Sequence, residues 1–197
     1  MNLYDSVTLK GQVARLEPLA ARHAAGLIEA VEDGEIWRLW MTMVPAPQEI
    51  AAEIERRLEL QRQGAWLPFA VIEQASGRAV GMTNFLNIDT PNRRVEIGAT
   101  WYRRRVQRTA LNTECKLLLL THAFEAGQCI AVEFRTHVLN HASRGAIERL
   151  GARLDGILRS HQLWRDGTLR DTCVYSIVAA EWPAVRMHLR FELGRAR

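Results

Sequence analysis

The residues that could do chemistry gather between positions 93 and 144. Glu96 sits in Arg93-Arg94-Val95-Glu96-Ile97-Gly98-Ala99-Thr100-Trp101-Tyr102, a stretch rich in β-formers that ends in two aromatics. A carboxylate there can take a proton from an amine, bind an ammonium group, or pair with a nearby arginine. Arg103, Arg104, Arg105 and Arg108 crowd the loop that follows. From Asn112 the apolar positions Leu117, Leu118, Leu120 and Phe124 recur at helical spacing. Asn112 can cap that helix. Free amides, a positive dipole end and guanidinium groups together make an anion site, for which phosphate or pyrophosphate is the natural ligand. Asn140-His141-Ala142-Ser143 starts another helix, with Asn140 and Ser143 as caps or as polar groups at a reaction centre.

Several elements must position these groups. Residues 6–17 read as a strand or hairpin, 20–31 as a helix, and 48–63 as a second helix. The second helix buries Ile50, Ile54 and Leu58 and turns Glu53, Arg56 and Arg57 to solvent. Residues 67–72 and 79–88 form an antiparallel hairpin, and 94–102 the central strand. The long helix spans about 112–127, with Gly127 as its stop. A strand at 130–138 follows, so the strand–helix–strand run implies a parallel or splayed pair. A helix from Asn140 to about Leu150 leads to strands at 152–163 and 169–180 around Asp166-Gly167. Residues 181–193 are a short helix or an irregular tail.

At 197 residues, 48% apolar and 24% charged, the chain reads as one globular domain, residues 1–197. A net charge of +4, spread along the chain with no nucleic-acid motif, suits a small anionic ligand better than DNA or RNA, so no nucleic-acid partner is expected. Cys115, Cys129 and Cys173 lack metal spacing and read as buried, reduced thiols. No metal is expected. Met1 to Asp5 shows neither a basic head nor an apolar run, and no apolar stretch approaches ~18 residues. The expectation is a cytoplasmic protein without a membrane partner. Sheet edges leave room for a homodimer.

Residues 93–127 resemble motif A of the GCN5-related N-acetyltransferases. In that family a strand runs into a Gln/Arg-x-x-Gly-x-Gly/Ala loop whose amides bind the pyrophosphate of acetyl-coenzyme A. The matching residues here are Gln107-Arg108-Thr109-Ala110-Leu111-Asn112, with Ala110 and Asn112 in place of the glycines. Alanine fits if φ is negative, and asparagine tolerates left-handed geometry. Asn112-Thr113-Glu114 before the leucine-rich helix looks like the RimJ/RimL-type branch. So does the order Asn140-His141-Ala142-Ser143, Leu150-Gly151-Ala152, Asp155-Gly156, Asp166-Gly167 and Arg170-Asp171-Thr172. The resemblance is strongest over residues 8–180.

This resemblance implies a single-domain α/β (α+β) fold, with a mixed, mostly antiparallel sheet, a splayed parallel pair and helices on both faces. It implies acetyl-CoA as co-substrate and an acetyl group moved directly to a primary amine, either a protein N-terminus or a small amine. Cofactor contacts are then expected from Thr100, Trp101, Tyr102, Arg103, Gln107, Arg108, Thr109, Ala110, Leu111, Asn112 and Thr113, with Asn140 and Ser143 beside them. Glu96 is the candidate base. Asn140 could hydrogen-bond the pantetheine arm or a reaction-centre water, and Ser143 could protonate the leaving thiolate. Ile147 stands where many relatives have a tyrosine acid, so Ser143, Tyr175, water or no dedicated acid is left. Trp37, Trp40 and Met41 either fill the core or wall the acceptor site. The alternative function is a non-catalytic acyl-CoA-binding or regulatory module of the same fold, which would bind the cofactor without turnover.

Overall fold

The computed structural model describes residues 7–195. Met1 to Asp5, read above for a leader, and Ser6 of the first expected strand lie outside them. The strands are β1 (Leu9–Lys10), β2 (Ala14–Pro18), β3 (Trp66–Glu73), β4 (Ala79–Asp89), β5 (Arg94–Tyr102), β6 (Ala131–His137), β7 (Arg153–Leu163) and β8 (Leu169–Val178). They form one sheet in the order β1-β2-β3-β4-β5-β6-β8-β7. The β5–β6 pair is parallel, and the other pairs among the described residues are antiparallel. This is the expected mixed sheet.

Alternation along β3 explains the two layers. Leu67, Phe69 and Val71 face one core, and Ala70 and Ile72 face the other. The first core takes α3 (Ala110–Thr121), α5 (Trp182–Gly194) and the inner face of α4 (His141–Glu148). The second takes α1 (Ala24–Glu32) and α2 (Ile50–Arg62). At roughly 1.5–3 kcal/mol per large apolar side chain buried, these faces hold the helices in place far more than helix propensity does. The open question about residues 181–193 resolves as helix, with Pro183 in its first turn. No helix among the described residues is long and apolar enough to cross a membrane.

The long helix differs from expectation at both ends. Its N-cap is Thr109, not Asn112. Thr109 is extended, and its Oγ1 accepts the Leu111 amide at 3.3 Å. The geometry of this cap moves the start back to Ala110 and leaves Asn112 inside the first turn. At the far end α3 passes into a π-helical turn at His122–Ala126 before Gly127.

β5 and β6 pair only at Arg94–Ala131, Val95–Val132 and Glu96–Glu133, and then separate. The outward bend of β5 comes from a bulge against β4. Ala99 has φ of 46°, and the register shifts between Met82 and Asn84. Two side chains pin that bulge. Asn84 Nδ2 donates to the carbonyls of Gly98 at 2.8 Å and Ala99 at 3.3 Å. Arg57 Nη1 donates to Asn84 Oδ1 at 2.9 Å and to the Ala99 carbonyl at 3.4 Å. Arg57 therefore does not belong to a solvated face of α2. It is buried, held by Glu53 at 2.7 Å, and reaches inward because the bulged carbonyls need donors.

A second anchor fixes the start of α3. The Glu114 carboxylate accepts the amides of Gln12, Val13 and Ala14 at 2.7–2.8 Å. It ties the β1–β2 hairpin to the helix that borders the site. Gly11 is needed there, because a Cβ would collide with the Glu114 carboxyl group. Glu114→Ala leaves three amides without their acceptor and is expected to cost about 2–4 kcal/mol in chemical denaturation. Gly11→Ala should destabilise through the same contact. A Glu114→Ala variant as stable as wild type would contradict this account of the hairpin.

Candidate active site

Where β5 and β6 part, two cavities open and meet. The smaller, about 370 Å³, lies between residues 41–44 and the final hairpin. The larger, about 730 Å³, runs along the start of α3 and across α4. Thr100, Lys116 and Ile147 line both. The junction therefore lies at the split in the sheet.

Glu96, the last β5 residue paired to β6, lines the smaller cavity and is buried. Asn87 Nδ2 donates to its Oε2 at 2.7 Å, and Arg135 Nε approaches the same oxygen at 3.5 Å. Arg135 is shared with Glu133, at 3.0 Å. Glu96 thus both faces the cleft and touches an arginine, the two alternatives left open by the sequence. Burial raises its pKa above the usual carboxylate value, against the Asn87 hydrogen bond and the charge of Arg135. Gly98 makes room for it, since a Cβ there would stand 2.8 Å from Glu96 Oε1.

Asn140 caps α4 through Oδ1, which accepts the Ser143 amide at 3.0 Å, and both residues line the smaller cavity. Ile147 is buried and carries no proton to give. Tyr175 is removed from the site: its hydroxyl donates to Glu148 at 2.8 Å and accepts from Arg144 at 3.0 Å, and it borders neither cavity.

Gln107, Arg108, Thr109, Asn112 and Thr113 line the larger cavity, with Thr100 and Tyr102. Arg108 takes φ of 61°, which aims the chain into the α3 turn. The rest of the basic loop points elsewhere. Arg103 is ion-paired with Asp33 at 3.0 Å, and Arg105 with Glu73 at 2.5 Å, so neither borders the cavity. Ala110 and Leu111 also lie outside its wall, with Leu111 buried in the core. Trp101 lines the smaller cavity instead, with its indole nitrogen buried and without a hydrogen-bond partner. Of the proposed acceptor wall, Met41 lines the smaller cavity. Trp40 stacks edge-on against His137 at 5.2 Å and is half exposed beside it. Trp37 packs on the second core and is not part of the wall.

The structure adds residues that sequence reasoning missed. Lys116 is buried at the junction, where its Nζ donates to Thr100 Oγ1 at 2.9 Å and Thr83 Oγ1 at 3.4 Å. No carboxylate pairs with it among the described residues, and desolvation pulls its pKa down to about 8. A single lysine between Cys115 and four consecutive leucines was the available signal. Arg149, just after α4, borders the larger cavity. Arg135, His161, Trp164 and Arg170 border the smaller one. They come from β6 and the β7–β8 hairpin, whose spacing carries no chemical pattern.

Comparison with known proteins agrees with this geometry. The profile of the acetyltransferase (GNAT) domain matches residues 14–153. A Bacillus subtilis (strain 168) protein, YdaF, provisionally named a ribosomal N-acetyltransferase, is 32% identical over 106 residues. That match covers 54% of this chain and 57% of the relative, so the chain spans little more than half the length of that curated protein. A GCN5-related N-acetyltransferase from Brucella melitensis has a TM-score of 0.86 at 29% identity, over 96% of this chain and 86% of that one. Mycobacterium smegmatis RimJ, solved with CoA-disulfide, has a TM-score of 0.81 at 25% identity, over 100% of this chain and 99% of that one. The family profile spans more than half the sequence, and the chain belongs to the GNAT acetyltransferase domain family.

Proposed function

We propose that this protein, read as one domain over residues 1–197, is an N-acetyltransferase that moves the acetyl group of acetyl-CoA directly to a primary amine. The observation that carries this reading is the pair of cavities meeting at Thr100, Lys116 and Ile147. Two substrates can enter from opposite sides and touch at the split in the sheet. The larger cavity fits an anionic, nucleotide-sized ligand: it is bordered by the first turn of α3, by Arg108 and by Arg149. The relative RimJ, solved with CoA-disulfide, supports the same assignment.

Acetyl-CoA supplies an activated acetyl group and a thiolate that leaves; the chain must do the rest. Arg108, Thr109, Asn112 and Thr113 would hold the phosphates. Glu96 takes the proton from the acceptor amine, and its raised pKa suits it to that task. Lys116 supplies positive charge at the junction, where negative charge builds during transfer. Asn140 and Ser143 offer polar groups on the same wall, and Ser143 can return a proton to the leaving sulfur. The ribosomal naming of YdaF supports a protein N-terminus as acceptor, with a small amine as the other class.

Two experiments follow. In Glu96→Gln, CoA-thiol release should fall about 10²–10⁴-fold in kcat. The acid limb of the wild-type kcat/KM profile, displaced above ordinary carboxylate values, should disappear. Retention of both rate and limb would remove Glu96 as the base, and tight acetyl-CoA binding without turnover on any amine would favour the non-catalytic module. Lys116→Met separates charge from packing. The unfolded lysine titrates near 10.5 and the folded one near 8, so the folded state binds fewer protons between those values and stability rises with pH across them. At pH 7 the cost is present in full, roughly 3 kcal/mol. The variant should melt higher than wild type at pH 7, lose that advantage by pH 10.5, and turn over more slowly. A variant less stable than wild type at pH 7 would contradict the account.

A further inference from the structure

We propose that the acetyl acceptor carries a carboxylate close to its amine, and that Arg170 receives that carboxylate while Glu96 faces the amine. The inference rests on the N-acetyltransferase reading and names its substrate class.

Three cationic side chains line the smaller cavity, and they are not equivalent. Lys116 is engaged with Thr83 and Thr100 at the junction. Arg135 is matched to Glu133 and Glu96. Arg170 has no carboxylate partner among the described residues. It is nevertheless held firmly. Its Nη1 donates to Gln162 Oε1 at 3.1 Å, across the β7–β8 register. Its guanidinium lies 4.8 Å from the centre of the Trp164 ring, and Trp164 is fixed by donating Nε1 to the Trp40 carbonyl at 2.6 Å. The Nε of Arg170 is buried without a hydrogen-bond partner.

A desolvated donor left open is costly unless a ligand completes it. The Gln162 contact occupies Nη1, and among the described residues Nε and Nη2 make no hydrogen bond; those two are the atoms of the fork that can bind a carboxylate through two parallel hydrogen bonds. The neighbouring Asp171 does not fill this need: its carboxylate accepts the Ser160 amide at 2.7 Å and faces Arg159 at 3.8 Å. Glu96 lines the same cavity, and its charge acts on Arg170 and is acted on in turn. The cavity thus offers both a carboxylate for an ammonium and a guanidinium for an anion. A polyamine or aminoglycoside would bring several positive charges against Arg135, Arg170 and Lys116, and is disfavoured. The anion can be the α-carboxylate of an amino acid or an acidic side chain beside a peptide N-terminus.

The test uses matched acceptor pairs and CoA-thiol release: free amino acids against their amides, and peptides with Asp or Glu at the second position against Asn or Gln. Wild type should prefer the carboxylate member of at least one pair by roughly tenfold to a hundredfold in kcat/KM, mostly through KM. Which pair shows the preference identifies the source of the anion. In Arg170→Gln the ratio should collapse toward unity, and Arg170→Lys should restore part of it. Equal use of both members by wild type overturns the proposal without touching the transferase reading. A loss in Arg170→Gln that is equal for both members also overturns it, since Arg170 would then act only through Glu96 or the hairpin. No turnover with any acceptor overturns the transferase reading, and this proposal with it.

Discussion

The site depends on the separation of β5 and β6 after Glu96 and Glu133. A sheet that kept its ladder there would leave no room between the strands. The bulge at Ala99 bends β5 away, and the carbonyls it frees from the ladder would be costly without donors. Asn84 and the buried Arg57 supply them, so a charged residue on α2 stabilises the opening of a cleft on a distant strand. The Glu114 anchor then holds the start of α3 against the β1–β2 hairpin, which fixes the floor of the larger cavity.

Charge within this cleft is unevenly matched. Glu96 is buried with one hydrogen bond and one long ion pair, and burial raises its pKa. Lys116 is buried against two hydroxyls, and the partly buried Arg170 meets an amide oxygen and a ring. Such groups lower the stability of the free protein and are favourable only when a ligand brings the missing charge. On the proposed reading, the same imbalance that costs stability would sort substrates: an anionic cofactor in the larger cavity and an amine with its own carboxylate in the smaller.

Much of this architecture was legible from pattern. Strand patterning and helical spacing placed the main strands and helices, and the strand–helix–strand run over 94–138 pointed to the parallel or splayed pair, while the layering came from the family resemblance. Local competition was less legible. Thr109 and Asn112 are both good caps, and only the extended backbone at Thr109 decides between them. Tertiary pairing was not legible at all. Arg103 and Arg105 look like part of an anion site until Asp33 and Glu73 arrive from other elements. Arg57 looks solvated until the bulge above it is known. Arg170 sits in a hairpin whose residues alternate without chemical pattern, and its open edge exists only because Gln162 and Trp164 fix the rest of it.

The most direct test of the central claim is hydrogen–deuterium exchange of the full chain with and without saturating acetyl-CoA. Protection concentrated in residues 97–102 of β5 and 107–113 at the start of α3 is the predicted result. Saturating acetyl-CoA that leaves those two segments unprotected, or protects only segments elsewhere, would contradict the account.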